Sequence, residues 1–405
     1  MGFCRRIETT HKQNDFCYLL VSTACVLTNG FLLDYNPRLY NILMHGKLIT
    51  VYCSLITFFL LSCQPSPTPP PQTSLIVYRF DPPAFVEYSA DFQPIKEIPF
   101  TIPPSCGLYN TFPAPIGKFL LIELSCPNGQ TVLFLDTESD SVSQPVTDSD
   151  AHFLAWTSDG DASYLKVDSL GNPRILRVHT SGEQDIVPIS EFTYDLAPAP
   201  SGEPFTFTFS RGLSFGSEIW LAQADGNEMK QLTTDTGSIH AYARWSPDGN
   251  QIAFIKFLDL QIPYSIGSLW VMDADGSNAH LLAEADAGHG YAANWSPDGN
   301  RIAFVVRENP GDENANQVSD ALISNIYVID VETVVLTQVT RFTEGRTETP
   351  FWSPDGNTLS FNTVVNGRMN VFIADVDNVG VGSSDPVEIQ FLETGSTCCP
   401  AWMRK

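Results

Sequence analysis

The sequence predicts an all-β protein assembled from one repeated unit of four short strands. Glycine and proline number 27 and 29 among 405 residues, and aromatic residues make up 11% of the chain. This composition favours turns and short strands. One turn motif recurs in nearly identical form: ARWSPDGNQIAFIKF from Ala243, ANWSPDGNRIAFVVR from Ala293 and PFWSPDGNTLSFNTV from Pro350. Such internal repetition is typical of architectures built from many copies of one unit.

Weaker copies extend the repeat over most of the chain. LAWTSDGDASYLKV from Leu154 keeps the tryptophan and the Asp-Gly turn, whereas FPAPIGKFLLIEL from Phe112 and APAPSGEPFTFTF from Ala197 keep only the turn. CPAWMRK, a truncated copy, ends the chain. The positions equivalent to the tryptophan are Pro113, Trp156, Pro198, Trp245, Trp295, Trp352 and Trp402. They lie 42 to 57 residues apart, which leaves room for four short strands in each unit.

The strands of each unit follow from the turn chemistry. An innermost strand A ends at the tryptophan position, and Ser-Pro-Asp-Gly then turns the chain into strand B. Proline fixes φ in this turn, and glycine accepts the positive φ that closes it. The turn aspartates are Asp248, Asp298 and Asp355. Strands C and D follow, as in SLWVMDADG from Ser268 and AHLLAE from Ala279. Four antiparallel strands repeated about a ring form a β-propeller.

The repeat resembles the WD40-like PD40 motif of the TolB-type β-propellers. The resemblance covers about residues 74–402 and rests on WSPDG followed by a strand such as Ile-Ala-Phe. It implies one propeller domain over 74–405. Nothing in the sequence matches the α/β domain that precedes the propeller in TolB, so the partners of TolB are not implied.

The ends of the repeat predict how the ring closes. Six complete units run from Pro113 to just before Trp402, and the last strand A, at about 395–402, has no strands after it. The segment before the first unit supplies strands B, C and D at 74–80, 84–90 and 93–100. Pairing of the last strand A with the first strand B would leave no exposed inner edge. We predict seven blades closed in this way, with six blades, as in TolB, as the alternative.

The first 73 residues are interpreted as a leader and a tether. An apolar run of 14 residues, Leu48 to Leu61, is too short to span a bilayer comfortably. It ends in LLSC, which resembles a bacterial lipobox, and this resemblance implies that Cys63 is diacylated and begins the mature chain. We predict a lipoprotein signal peptide at 44–63 and an extended proline-rich tether at 64–73. An ordinary cleaved signal or an uncleaved anchor is the alternative. Residues 1–43 fit a misassigned start codon or an extra leader.

The charge excludes several kinds of partner. The chain has 22 Lys plus Arg against 46 Asp plus Glu, a formal net charge of −24. It therefore has no basic excess with which to neutralise a nucleic-acid backbone or to dock on anionic lipid. We expect no nucleic-acid partner, membrane attachment through the lipid anchor, and an extracytoplasmic monomer in the periplasm or on the cell surface.

The cysteines of the propeller predict one or two disulfides. Cys106 and Cys126 lie on strands A and B of the first complete unit, and their midpoint falls on the APIG turn at 114–117. A bond across this hairpin would contribute about 2–4 kcal/mol in an oxidising compartment, and two free thiols are the alternative. The adjacent Cys398 and Cys399 could form a vicinal disulfide. Without a Cys-x-x-Cys spacing no zinc site is indicated, and no cofactor or metal is expected.

Two long loops are candidate binding elements. In propellers, ligands usually meet the face where B–C and D–A loops gather, at one mouth of the central channel. The loop at 307–324 is acidic and includes Asp312 and Glu313, and the loop at 257–268 is apolar and aromatic. Long loops in a compact fold are the usual place for function; drift in surface loops is the alternative.

A few ionisable residues precede the tryptophan positions. His152, His240 and His289 lie 4, 5 and 6 residues before them and could all face the channel mouth, where imidazoles can hold a metal. The alternative is that they are solvated loop residues, since the offsets differ. Arg346 and Glu348 occupy similar places in the following unit and could pair with each other.

These observations favour a binding protein over an enzyme. The sequence contains no Gly-x-Ser-x-Gly elbow, P-loop or His-Glu-x-x-His motif, and we expect no catalytic residue. The first hypothesis is a non-catalytic, lipid-anchored propeller that binds a protein or polymer of the cell envelope. A metal-assisted polysaccharide lyase or hydrolase that uses the histidines at the channel is one alternative. A sensor or assembly lipoprotein that serves a membrane partner is another.

Overall fold

The computed structural model describes residues 73–404, except for a set of short segments. These are 170–171, 188–192, 201–205, 214–215, 224–228, 236, 259–261, 287–291, 349, 366, 377–388 and 393–394. The predicted signal peptide, its Cys63, the tether up to residue 72 and His289 therefore lie outside the described residues.

The described residues form short strands and two single turns of 3-10 helix, Asn314–Asn316 and Ser319–Ala321. Blade 1 begins with β1 (Thr73–Phe80), β2 (Pro83–Tyr88) and β3 (Pro94–Pro99). Blade 2 contains β4 (Gly107–Pro113), β5 (Phe119–Cys126), β6 (Gly129–Asp136) and β7 (Ser141–Ser143). Blade 3 contains β8 (Ala151–Trp156), β9 (Ala162–Ser169), β10 (Asn172–His179) and β11 (Gln184–Val187).

The remaining blades follow the same plan. Blade 4 contains β12 (Thr193–Pro198), β13 (Thr206–Gly212), β14 (Ser217–Gln223) and β15 (Lys230–Gln231). Blade 5 contains β16 (Ser238–Trp245), β17 (Gln251–Leu258), β18 (Ile266–Asp273) and β19 (His280–Asp286). Blade 6 contains β20 (Asn294–Trp295), β21 (Arg301–Arg307), β22 (Ser324–Asp330) and β23 (Leu336–Gln338). Blade 7 contains β24 (Arg346–Thr347), β25 (Phe351–Trp352), β26 (Thr358–Val365), β27 (Arg368–Asp375) and β28 (Ile389–Phe391).

The strand order confirms the predicted all-β class with antiparallel four-stranded blades. The strands of the described residues form six hydrogen-bonded sheets; β24 and β25 both pair with β26, and the strands of blades 4 and 5 belong to one sheet. Blades 4 and 5 are joined in addition by a parallel bridge between Ser217 and Ile239. The hydrophobic core lies between successive blades, as where Phe304 of β21 packs in one cluster with Leu269 of β18.

The ring closes through the C-terminal strand, as predicted. Strand β29 (Thr397–Arg404) pairs antiparallel with β1, with Leu75 opposite Trp402 and Ile76 opposite Ala401. Blade 1 therefore has the order β29-β1-β2-β3, which combines one strand from the end of the chain with three from its beginning. Met403 of β29 packs in a core cluster with Phe85 of β2.

The repeated tryptophans connect each blade to the preceding one. In four blades the indole Nε1 donates a hydrogen bond to the carbonyl of the residue just before the tryptophan-equivalent position of the preceding blade. These bonds are Trp156 to Phe112 at 3.0 Å, Trp245 to Ala197 at 3.2 Å, Trp295 to Arg244 at 3.0 Å and Trp352 to Asn294 at 3.0 Å. The indole nitrogen of Trp402 is buried and has no partner among the described residues.

The Ser-Pro-Asp-Gly turn is held by its own side chains. The hydroxyl of Ser246 donates to the Asp248 carboxylate at 2.6 Å, and the Asn250 backbone N–H donates to the same oxygen at 3.1 Å. These bonds lower the pKa of Asp248. Gly249 adopts a φ of 74°, which disfavours a side chain there. The same carboxylate bonds recur at Asp298 and Asp355, so these aspartates shape turns.

The structure contains the predicted Cys106–Cys126 disulfide and the vicinal Cys398–Cys399 bond, which the sequence left open. Cys106 and Cys126 are joined at the open end of the β4–β5 hairpin, with their Cα atoms 4.1 Å apart. Cys398 and Cys399 are joined within β29, where both are buried. The first bond ties an inner strand to its neighbour, and the second lies in the strand that closes the ring.

Candidate functional site

Most of the inner strands carry a β-bulge before the tryptophan position. The register of β4 against β5 shifts at Tyr109, and the register of β16 against β17 shifts between Ala241 and Arg244. Similar shifts occur in β8, β12 and β29. A bulge adds one residue to a strand and re-aims the side chains beside it. The positive φ values of Asp195 and Tyr242, 53° and 57°, mark two of these positions.

Three tyrosines lie on the inner strands of different blades. Tyr109 lies in blade 2, Tyr194 in blade 4 and Tyr242 in blade 5. Burial raises the pKa of Tyr242, and electrostatic interactions with Asp195, Tyr194 and Tyr109 raise it further. The three tyrosines therefore belong to one electrostatic environment on the inner strands.

Tyr109 has negatively charged surroundings. Its side chain is 63% exposed, and desolvation raises its pKa, followed by the negative charges of Glu123 and Glu348. Glu123 belongs to blade 2 and Glu348 to blade 7, so side chains of two blades act on this tyrosine.

The carboxylates near the tyrosines are held by hydrogen bonds. Asp195, whose side chain is 9% exposed, accepts a hydrogen bond from the Ala243 backbone N–H at 3.1 Å and pairs with Arg244 at 3.0 Å. It thereby ties blade 4 to the bulge that carries Tyr242. Glu348 accepts a hydrogen bond from the amide of Asn362 at 3.2 Å.

We call Tyr109, Tyr194, Tyr242, Asp195, Glu123 and Glu348 the channel cluster. Glu123 is almost fully buried and lies 3.1 Å from Nδ1 of His152, whose side chain is 44% exposed. The cluster combines three aromatic rings with hydroxyl groups and three carboxylates. Such a set can stack against a ligand, hydrogen-bond to it and attract positive charge.

His240 does not face the channel mouth, where the sequence indicated that it could lie. His240 is 3% exposed; its Nδ1 lies 2.9 Å from the backbone oxygen of Ser217 and 3.5 Å from the carboxylate of Glu218. It therefore faces the junction of blades 4 and 5 instead of the channel mouth. Its offset from the tryptophan differs by one residue from that of His152, and one residue reverses the face of a strand. In the described part of the chain, no three His, Cys, Asp or Glu side chains are placed to hold a metal.

The expected pair of Arg346 and Glu348 is not formed. Arg346 instead pairs with Asp320 at 3.2 Å, whereas Glu348 bonds to Asn362. Asp320 comes from the long acidic loop of blade 6, which the sequence spacing could not place beside blade 7. The Arg346 pair thus fastens the loop to the next blade.

The two long loops pack against each other. Arg307 is 4% exposed and donates to the backbone oxygens of Tyr264 at 3.3 Å and Asp312 at 3.0 Å. The backbone N–H of Tyr264 donates to the Asn316 oxygen at 3.2 Å. The Asp312 carboxylate accepts the backbone N–H of Asn314 at 2.9 Å, so it shapes the loop. Glu313 is exposed to solvent on the acidic loop.

Comparison with known proteins supports the fold. The family model for the N-terminal region of dipeptidyl peptidase IV matches residues 213–309. An oligogalacturonate lyase from Vibrio parahaemolyticus covers 75% of this chain and 92% of its own, with 12% identity and a TM-score of 0.54. A prolyl endopeptidase covers 83% of this chain and 50% of its own, with 10% identity and a TM-score of 0.55. The chain is a β-propeller.

TolB from Acinetobacter baumannii also matches, with 18% identity over 80% of this chain and 79% of its own and a TM-score of 0.47. A search of curated protein sequences returns no match. The described residues of this propeller include no helix with the length and apolar character needed to cross a membrane.

Sequence reasoning missed the tyrosines of the propeller channel. Tyr109 and Tyr194 lie four residues before the tryptophan-equivalent positions Pro113 and Pro198. His152 and Glu348 have the same offset from Trp156 and Trp352. Comparison of all units at this one offset, rather than a search for histidines, would have revealed Tyr109, Tyr194 and Glu348, three of the six residues of the channel cluster.

The channel tyrosines should stay protonated well above neutral pH. Desolvation and negative neighbours raise the pKa of both Tyr109 and Tyr242 above an ordinary value of about 10. The folded state then holds these protons more tightly than the unfolded chain. Their contribution to stability is complete below about pH 10 and is lost as the pH rises through the folded pKa.

A spectroscopic titration checks this expectation. The difference in ultraviolet tyrosinate absorbance between the wild-type protein and Tyr242→Phe should appear only above about pH 10. The control is the same comparison in denaturant. There the absorbance of the wild-type protein and of Tyr242→Phe should begin to differ near the ordinary tyrosine pKa, about 10. Ionisation of Tyr242 at or below that value in the folded protein would contradict its buried position.

Proposed function

We propose that this protein is a non-catalytic binding propeller of the bacterial cell envelope, which holds a partner protein or an envelope polymer at the channel cluster. The supporting observation is that Tyr109, Tyr194 and Tyr242 lie on the inner strands of three blades and belong to one electrostatic environment. Tyrosine offers a large rigid contact area at a low cost in side-chain entropy, together with a hydroxyl for hydrogen bonding. Rings presented from three rigid strands suit recognition of an extended ligand.

The protonation of these tyrosines supports binding rather than proton transfer. A general base works best when its pKa lies near the working pH, and the pKa values of Tyr109 and Tyr242 are raised away from it. Their hydroxyls therefore act as hydrogen-bond donors and acceptors. The burial of His240 at a blade junction also gives no support to the alternative of a histidine-bound metal at the channel.

The anchor completes this proposal. A lipid on Cys63 would attach the propeller to the membrane surface, in keeping with an extracytoplasmic location. The ten-residue tether at 64–73, if extended as polyproline II, would span about 30 Å. That distance would let the channel mouth reach a membrane protein or an envelope polymer near the anchor. Replacement of Cys63 by Ala should release the protein from the membrane fraction.

Site-specific cross-linking tests the binding site. A photoreactive amino acid at Tyr109 in the full-length protein, expressed in bacterial cells, should give an adduct of defined mass. The same amino acid at Glu183, exposed in a turn of blade 3, is the matched control and should give none. The adduct at Tyr109 should disappear in the Tyr242→Ala variant. Equal adducts at both positions, or none at Tyr109, would overturn the proposal.

A further inference from the structure

We propose that the Cys398–Cys399 disulfide is a redox-sensitive latch, whose reduction by a dithiol loosens the strand that closes the ring. The inference concerns the closure of the propeller and does not depend on what the channel binds. The bond lies in β29 at its β-bulge, and both cysteines are at most 4% exposed. A bond between adjacent side chains closes a small ring that contains the peptide link between them, so it restricts the backbone at Cys399.

The backbone at Cys399 needs such a restraint. Asp195, Tyr242 and Cys399 each lie three residues before a tryptophan-equivalent position, and their φ values are 53°, 57° and 63°. This left-handed backbone is uncommon for residues that carry a Cβ atom. Of the three, only Cys399 precedes a proline, Pro400, and the residue before a proline prefers extended backbone. The disulfide therefore holds a conformation that the local sequence disfavours.

The backbone of Cys399 also makes hydrogen bonds to both neighbouring blades. Its N–H donates to the side-chain oxygen of Asn362 in blade 7 at 3.1 Å, and its carbonyl accepts from the hydroxyl of Thr111 in blade 2 at 2.9 Å. A change of φ at Cys399 rotates these two backbone groups relative to each other. Release of the left-handed conformation would therefore weaken the contact with at least one of the two blades.

The reduction is a thiol–disulfide exchange in which a dithiol supplies the electrons. One thiolate of the dithiol attacks a sulfur of the latch, the Cys398–Cys399 bond breaks, and the other cysteine leaves as a thiolate and takes up a proton. The second thiol of the reductant then attacks the mixed disulfide, which frees the remaining cysteine and leaves the reductant as a disulfide. A monothiol stops at the mixed disulfide, because the neighbouring cysteine expels it again at a high effective concentration. The matching reductant is therefore a dithiol.

Burial couples this reaction to the opening of the ring. Because the sulfurs are shielded from solvent, a reductant reaches them only when β29 moves away from the residues that cover it. The closed ring thus protects the disulfide, and the disulfide stabilises the closed ring. By linkage, conditions that reduce the bond favour the loosened strand by the same factor.

Hydrogen exchange measured by mass spectrometry on the full-length chain tests the latch. The probe is dithiothreitol, with glutathione at equal thiol concentration as the monothiol comparison. Dithiothreitol should free the thiols of Cys398 and Cys399 and speed exchange in β29 about tenfold, the order of magnitude by which left-handed backbone is disfavoured. Glutathione should do neither. Strand β16, an inner strand without a cysteine, is the internal control and should exchange at an unchanged rate.

The double variant Cys398→Ala/Cys399→Gly is the matched control. It lacks the latch, keeps the Cys106–Cys126 disulfide, and carries at position 399 a glycine, which accepts a positive φ. Exchange in its β29 should not respond to dithiothreitol. An equal response in this variant would assign the loosening to Cys106–Cys126 and would overturn the inference. The wild-type measurements stand by themselves, so the test does not depend on the folding of the variant.

Three further outcomes would also overturn the inference. Free thiols at Cys398 and Cys399 before any reductant is added would show that the latch is not formed. A latch that stays intact while dithiothreitol reduces Cys106–Cys126 would be a permanent structural link. Reduction of the latch without faster exchange in β29 would show that the disulfide does not restrain this strand.

Discussion

A chain that ends at Ser396 is expected to lose its folded structure, because it lacks the strand that closes the ring. Strand β29 supplies Cys398, Cys399, Ala401 and Met403, which are at most 4% exposed. Burial of large apolar side chains contributes about 1.5–3 kcal/mol each, and loss of β29 would also expose the inner edge of β1 to water. The combined cost is comparable to the whole stability of a typical domain, about 5–15 kcal/mol.

Circular dichroism and urea unfolding would measure this effect. The truncated chain should show no cooperative transition, whereas a chain that ends at Arg404, and so lacks only Lys405, should unfold like the wild type. Cooperative unfolding of the truncated chain near the wild-type midpoint would mean that another contact closes the ring.

Much of the propeller could be predicted from the sequence because its determinants are local. The turn at Ser246 to Gly249 is held by hydrogen bonds between residues close together in the chain. The same residue sequence therefore forms the same turn wherever it recurs. The closure of the ring could be predicted from the positions of the strands in the chain. The last strand A has no strands B to D after it, and the first three strands have no strand A before them, so together they make one blade. The observed pairing of β29 with β1 is the result.

The candidate site was harder to predict because its geometry depends on bulges and on contacts between distant segments. One additional residue in β4 re-aims Tyr109, and nothing in the alternation of apolar and polar residues indicates it. The partner of Arg346 is Asp320, 26 residues earlier in the chain, rather than the nearby Glu348. His240 lies five residues before Trp245, whereas His152 lies four residues before Trp156. This difference of one residue places His240 on the other face of its strand, at the junction of blades 4 and 5.

The second large effect is expected at the repeated tryptophan. Trp295 is 9% exposed and packs among the core residues of blades 5 and 6, and its indole N–H donates to the carbonyl of Arg244. Truncation of a buried tryptophan to alanine typically costs about 3–5 kcal/mol. Trp295→Ala should therefore lower the urea midpoint strongly, without a change in the denaturant slope if the protein remains two-state.

A matched pair of phenylalanine variants separates the hydrogen bond from the packing. Trp295→Phe loses ring volume and the indole bond to the Arg244 carbonyl. Trp402→Phe loses similar volume but no bond, since its indole nitrogen has no partner among the described residues. At that closing position the equivalent acceptor, the Phe351 carbonyl, takes a long 3.5 Å bond from Ser360 instead. Trp295→Phe should be the more destabilising by about 1 kcal/mol, the usual net value of one such bond. Equal losses in the two variants would show that the tryptophan is retained for its volume alone, and the bond between blades would then contribute nothing measurable.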